Sequence, residues 1–230
     1  MGRVFAHRVT VAGLSLGLMA MTGGFASAQQ KIGVAAVVQN DVARVQAASA
    51  AQISQGDNLI RDEVVRTGAA STAKLVFLDD TNLAVGPTST VTLDKFVFAG
   101  ESDYRKATLE VARGSLRFVT GNSDKRAYQI NTSVASIGVR GTVFDMQTTR
   151  GRMVVTLVEG LIIVCIRGTN RCLIASQPGQ TIVVNGSSIA FSAAGFSFDT
   201  VCATGATGLC GVSKVASLQQ PGGGDALCGR

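Results

Sequence analysis

Few side chains in this sequence could do chemistry, and their positions narrow the options further. The single histidine, His7, lies near the N-terminus in a stretch patterned like a cleaved secretory signal. The chain expected after cleavage has no imidazole, which excludes His-based triads, Cys-His nucleophiles and histidine metal sites. Carboxylate pairs or a Ser-Lys dyad remain, and spacing assigns neither. The adjacent acids Asp79 and Asp80, followed by Thr81, invite a catalytic or metal reading. Acids are also common in turns, where they hydrogen-bond the local backbone, and the turn is the reading adopted. No catalytic, cofactor-binding or metal-binding residue is assigned, no cofactor is expected, and the chain is read as not an enzyme.

The five cysteines, at 165, 172, 202, 210 and 228, all fall in the last third. In an exported chain they are disulfide candidates before they are metal ligands. Cys165 and Cys172 flank Ile166-Arg167-Gly168-Thr169-Asn170-Arg171, a turn signal between two apolar strands. A hairpin symmetric about Gly168-Thr169 sets the two cysteines opposite each other at a spacing that a disulfide accepts. Cys202, Cys210 and Cys228 leave one odd thiol, and their pairing stays open.

One cation stands out by its setting. Ile137-Gly138-Val139-Arg140-Gly141-Thr142 lies within a longer stretch, residues 133–160, that reads as two apolar strands on a glycine pivot. The glycines predict a tight backbone crossing with no room for a side chain. A guanidinium fixed between buried strands needs a partner, because an unpaired buried charge is costly. Asp145 and Glu159 are the nearest acids in sequence. The alternative, that Arg140 marks a partner-binding edge, ranks second to this structural role.

The elements that must position these residues are short strands. Residues 32–38 and 42–47 are apolar or alternating runs split by Asn40-Asp41, a hairpin signal. Residues 47–51 are the one stretch that suits a helical turn. Gln55-Gly56-Asp57 is a turn, and residues 72–78 and 82–85 are strands on either side of the Asp79 turn. Residues 91–98 alternate Val, Leu and Lys against Thr, Asp and Phe, as a half-buried strand does. Arg113-Gly114, Glu159-Gly160 and Pro178-Gly179 each precede a strand, which suggests strands turning a corner at similar points. Asn185-Gly186 predicts a turn into a strand over residues 188–191. With 3 Pro, no Trp and abundant Val, Ile, Thr and Gly, the composition is all-β. The expected architecture is a single domain of short stacked strands, a β-sandwich or an irregular β-solenoid.

Residues 1–28 combine Arg3, His7 and Arg8, an apolar run and Ala26-Ser27-Ala28, the features of a signal peptide. The run falls short of the roughly 20 residues that span a bilayer. The expected organisation is a signal at 1–28, a β domain at 29–200 and a flexible Gly/Ala/Cys-rich tail at 201–230, soluble and either periplasmic or secreted, without stable membrane insertion. Losing Arg3 and Arg8 lowers the formal charge from +6 to 19 − 15 = +4. Lys and Arg are scattered singly with few aromatics between them, so no nucleic-acid partner is expected.

The order of these pieces resembles the FecR-domain family. The residues that carry the likeness are Gln55-Gly56-Asp57, Arg66-Thr67-Gly68 with Ser71 and Ala73, Leu75-Val76-Phe77-Leu78-Asp79-Asp80, and Gly86-Pro87 with Ser89. They continue through Val111-Ala112-Arg113-Gly114 and residues 135–144 to Val158-Glu159-Gly160 and Gly179-Gln180, with Val139-Arg140-Gly141-Thr142 the most specific motif. The match covers residues 56–184, and it departs from the family at Asp80, where glycine is usual. The resemblance implies a β-rich, non-catalytic module, in its best-known members the periplasmic part of a transmembrane anti-sigma regulator that receives a signal from an outer-membrane receptor. Here the expected signal peptide stands where those members carry a sigma-binding region and a membrane helix. A free-standing exported FecR domain is read as a protein-interaction module of the envelope, with another envelope protein as partner. The second reading is a structural envelope or cell-surface component that binds cell-wall material, against which the scarcity of aromatic rings counts.

Overall fold

The computed structural model describes Gly2, residues 30–46 and residues 49–203. The expected signal peptide, the side chain of Cys202, and Cys210 and Cys228 lie outside the described residues. The strands in chain order are β1 (Lys31–Gln39), β2 (Val42–Gln46), β3 (Ser49–Gln52), β4 (Asn58–Ile60), β5 (Val64–Thr67), β6 (Thr72–Phe77), β7 (Asn82–Val85), β8 (Thr90–Phe98), β9 (Tyr104–Val119), β10 (Tyr128–Asn131), β11 (Ala135–Thr149), β12 (Arg152–Ile166), β13 (Cys172–Ala175), β14 (Thr181–Asn185) and β15 (Ser188–Ser192). One short helix, α1 (Asp199–Ala203), follows them. The all-β expectation holds, and every strand belongs to one hydrogen-bonded sheet.

That sheet is folded in two. In the first leaf the neighbours run β3-β2-β5-β8-β9-β10-β11-β12-β13, using residues 104–113 of β9, 135–140 of β11 and 161–166 of β12. In the second they run β4-β1-β6-β7-β9-β11-β12-β14-β15, using the other halves of the same three long strands. Apolar side chains at every second position of both leaves point inward and form one core, which is how a two-layer fold removes apolar surface from water. Aromatic rings join the leaves: Phe77 packs on Phe96 at 5.3 Å and Phe118 on Tyr128 at 5.1 Å. The Tyr104 hydroxyl, in the first leaf, donates to the Ile32 carbonyl in the second at 2.6 Å.

The long strands pass between leaves at opposite ends of the molecule. Strand β9 crosses at Gly114, where Gly114 pairs with Thr148 near the turn between β11 and β12. Strands β11 and β12 cross at the other end, where Thr142 meets Thr120 beyond the end of β9. The corners at Arg113-Gly114 and Glu159-Gly160 thus sit where the sequence places them, but each lies inside one continuous strand rather than between two.

The backbone crossing expected around the glycine pair is real, with a different pair of glycines in contact. A Cβ on Gly160 would lie 2.1 Å from the Gly141 carbonyl oxygen and 2.9 Å from Thr142 Cα. Gly138, by contrast, has only Ile163 O within 4.0 Å of such an atom and is not crowded. Gly160 also has φ 90° and Gly141 φ 61°, a region that L side chains enter at a cost. Thr142 clasps the corner: its hydroxyl donates to Leu161 O at 2.8 Å and its amide donates to Thr120 Oγ1 at 2.9 Å.

Three local expectations are corrected. Asn40-Asp41 does not close a hairpin, because β1 pairs with β4 and β6 while β2 pairs with β3 and β5. Asn40, at φ 59°, instead carries the chain from one leaf to the other. Residues 49–52 form β3, an antiparallel partner of β2, in place of a helical turn. In β8 the register slips between Leu93 and Lys95, so Lys95 is exposed and Phe96 buried, the reverse of strict alternation. The Asp79 turn, the Gln55-Gly56-Asp57 turn and the β14–β15 hairpin form as read. Asp80 adopts φ 64°, the conformation that glycine supplies most readily and that Asp tolerates.

Replacing Gly160 with alanine forces both a left-handed backbone and a contact with backbone atoms that cannot move aside. G160A is expected to lose about 2 kcal/mol or more in urea unfolding, whereas G138A changes stability by less than about 1 kcal/mol. Equal losses at the two positions would refute this account of the corner.

Candidate functional site

The residues singled out in the sequence are mostly absorbed by the fold. Val139 and Thr142 are buried, Gly141 and Gly160 make the corner, and Gly138 lies in the ladder opposite Ile163. Arg140 is exposed, not held between buried strands, because alternation along β11 turns Ala135, Ile137 and Val139 inward and Arg140 outward. Asp145, a partner considered for it, is taken by Arg117, and Glu159 pairs across the ladder with Val143. Cys165 and Cys172 face each other across β12 and β13 and form a disulfide with S–S 2.02 Å.

Asp79 is a turn residue, and more than that. It is buried, and its carboxylate accepts hydrogen bonds from the Thr81 amide, the Thr81 hydroxyl and the Tyr128 hydroxyl at 2.9–3.0 Å. Burial, with the Asp79 charge beside it, pushes the Tyr128 phenol well above its ordinary range. The carboxylate is fully used in holding the turn against β10. Among the described residues no group of three or more His, Cys, Asp or Glu side chains is placed to hold a metal ion.

Sequence reasoning missed a second polar cluster, on the outer face of the second leaf. Arg117 on β9 makes two parallel hydrogen bonds to Asp145 on β11, Nε to Oδ1 at 2.6 Å and Nη2 to Oδ2 at 2.8 Å. The chain after β15 straps across this pair. The Phe198 amide donates to Asp145 Oδ2 at 2.9 Å, Arg117 Nη1 donates to Asp199 Oδ1 at 2.9 Å, and the Phe198 ring is fully buried against Ala84. The hydrogen bond from Arg117 holds the Asp199 carboxyl below its usual range. The chain therefore stays docked through Val201, at the border given to the tail. The partners are 28 and 82 residues apart, so no local pattern reveals them.

Glu63, on the turn before β5, is also buried. Its charged neighbour Arg44 lies 3.4 Å away. Burial pushes the Glu63 carboxyl up more strongly than Arg44 pulls it down.

An open site lies at the end where β9 changes leaf. Here the two leaves part around a mouth of about 1070 Å³ whose lining includes Arg66 on β5, Arg113 on β9, Arg150 in the β11–β12 turn and Arg167 just after β12. Glu110 is the one acid in that lining, so its formal charge is 4 − 1 = +3. Glu110 is already engaged, accepting from Asn131 Nδ2 at 2.6 Å and from Arg167 Nη1 at 3.3 Å. Arg66, Arg113 and Arg150 are exposed. Cations scattered singly along the sequence are thus gathered by the fold, which the sequence reading did not foresee.

The wall of the mouth is strained and held in place. Thr88 has φ 53°, costing on the order of 1–3 kcal/mol for a β-branched residue. Its amide donates to Gly68 O at 2.9 Å. Beside it the Ser89 amide donates to Thr67 Oγ1, and the Ser89 hydroxyl donates to Gly86 O and accepts from the Ser115 amide, all within 3.1 Å. Backbone strain that the surroundings enforce this firmly gathers at binding sites.

Residues 63–162 match the model of the FecR protein family. Two crystal structures of a putative anti-sigma factor from Parabacteroides distasonis ATCC 8503 are similar to the chain. They share 15% and 14% identity, cover 62% of this chain in both cases and align with TM-scores of 0.49 and 0.47. The chain spans 64% and 65% of the length of those proteins. No curated protein matches the sequence.

Removing the cation of the outer cluster strands a buried carboxylate. R117A is expected to lose about 3–5 kcal/mol in urea unfolding, and D199A, which breaks only the exposed arm, about 1 kcal/mol or less. Glu63 binds its proton more tightly folded than unfolded, so its contribution to stability is full below the ordinary value of 4.5 and is lost as pH rises through the raised folded value. E63Q should therefore gain stability relative to wild type as pH rises from 4.5 toward neutrality. A difference that stays constant with pH would refute the raised value.

Proposed function

Because residues 63–162 form a FecR domain, we propose that the protein is an exported, non-catalytic protein-interaction module of the bacterial envelope that takes part in signalling. The FecR match carries this reading. The fold supports it by the way its polar residues are used. The buried acids Asp79 and Asp145 are saturated by structural partners, and the arginine-lined mouth is an open concave surface able to take a partner. Strand β5 to residue 162 of β12 supplies most of that mouth, so the family segment and the candidate site coincide. Export agrees with the signal pattern of residues 1–28 and with a disulfide in the described chain, since such bonds persist in oxidising compartments.

A photo-crosslinking residue at Ser133, inside the mouth, is expected to capture one envelope protein in the native cell, while the same residue at Ser176, outside it, captures none. Hydrolytic activity of the purified protein that a single Asp or Ser substitution abolishes would overturn the non-catalytic reading.

A further inference from the structure

We propose that the mouth is a docking slot for an extended, acidic segment of the partner protein, which adds as a strand to the free edge of β9 and sets its carboxylates against Arg66, Arg113 and Arg150. This identity for the partner rests on the binding reading above and follows from the geometry of β9. On one edge β9 is paired with β8 over residues 104–113. On its other edge β10 ends opposite Glu110, and β11 begins to pair only at Gly114. Residues 111–113 therefore have no strand across that edge, and all three line the mouth. Unpaired strand backbone is a template for another strand, whose main chain supplies affinity while side chains at alternate positions supply specificity.

The charge of the lining selects which strand. Three exposed guanidiniums surround the gap with their one nearby acid already engaged, so a neutral or basic segment gains little and an acidic one gains charge-assisted hydrogen bonds. The hydroxyls of Thr90, Thr92, Ser133 and Thr149 add donors for carboxylate oxygens. No aromatic ring lines the mouth, which removes the stacking platform that nucleobases and sugar rings use. The chain's own C-terminal stretch is a poor occupant: residues 204–230 hold one acid, Asp225, against Lys214 and Arg230.

The test uses the mature protein and a fluorescent peptide of about ten residues alternating Glu and Thr, whose side chains repeat about 6.8 Å apart on each face. Saturable binding is expected, weakening as salt screens the arginines, with no binding of the same peptide carrying Lys for Glu. R113A combined with R150A should weaken binding at least about tenfold without moving the thermal midpoint, since both side chains are exposed. Amide exchange within residues 111–113 should slow on binding. Absence of binding, indifference to the double variant, or unchanged exchange at these amides overturns the proposal. Equal displacement by an oligouronate or an oligonucleotide of matched charge overturns it as well, in favour of a general polyanion site. If the peptide fails while crosslinking from Ser133 still captures an envelope protein, only the acidic strand falls; if both fail, the binding reading falls with it.

Discussion

The contact between the Gly141 carbonyl and the face of Gly160 is the constraint on which the two-leaf form depends. A sheet this wide cannot bury its apolar side chains unless it folds over, and folding it across continuous strands requires the backbone to turn without losing register for long. β11 and β12 achieve this by bending together, each at a glycine with positive φ, and Thr142 replaces the ladder bonds lost at the bend. The inward residues on both sides of the corner then face each other across one core. Val139 and Phe144, only five positions apart, belong to opposite leaves of it.

The second leaf needs something further, because its outer face carries Arg117 and Asp145 in the middle of the sheet. Cross-strand register aligns Ala84, Arg117, Asp145, Thr156 and Thr181 in one row, and the strap uses that row residue by residue. Phe198 covers Ala84, its amide meets Asp145, and the Phe196 amide meets Thr156 Oγ1 at 3.0 Å. Burying an ion pair is favourable only when geometry and remaining hydrogen bonds are good. The strap supplies those bonds, which makes the C-terminal segment part of the domain's electrostatics.

What the sequence made legible was local. The cysteine hairpin, the Asn185-Gly186 turn and the Asp79 turn are set by a few adjacent residues whose conformational preferences act at once. Asn40-Asp41 carried an equally strong local signal and was misread, because whether a turn closes a hairpin or crosses between leaves depends on which distant strands claim its arms. Arg140 looked interior since its neighbours are β-branched, but it occupies an outward position of β11, alternating with the buried Ala135, Ile137 and Val139. Arg117 stands between the core residues Leu116 and Phe118, and only a segment some 80 residues later, docking over it, makes it buried. The motifs that carry the family likeness divide in the same way. Arg66-Thr67-Gly68, Gly86-Pro87-Ser89 and Arg113-Gly114 converge at one end of the molecule, Gly141-Thr142 and Glu159-Gly160 at the other. A linear reading saw one ordered string where the fold builds two separate corners.

Those two corners lie at opposite ends, and this has a mechanical consequence. Two stacked sheets linked at one end can gape like a hinged book, and a ligand must then bear the entropic cost of closing them. Here covalent backbone joins the leaves at both ends, β9 at the mouth and β11 with β12 at the far side. Gaping at either end loads a covalent tether in tension, so the soft motion left to the leaves is a small sideways shear limited by core packing. The walls of the mouth are thus continuous with each other through the backbone of β9, so widening it strains a covalent chain rather than parting two surfaces in contact.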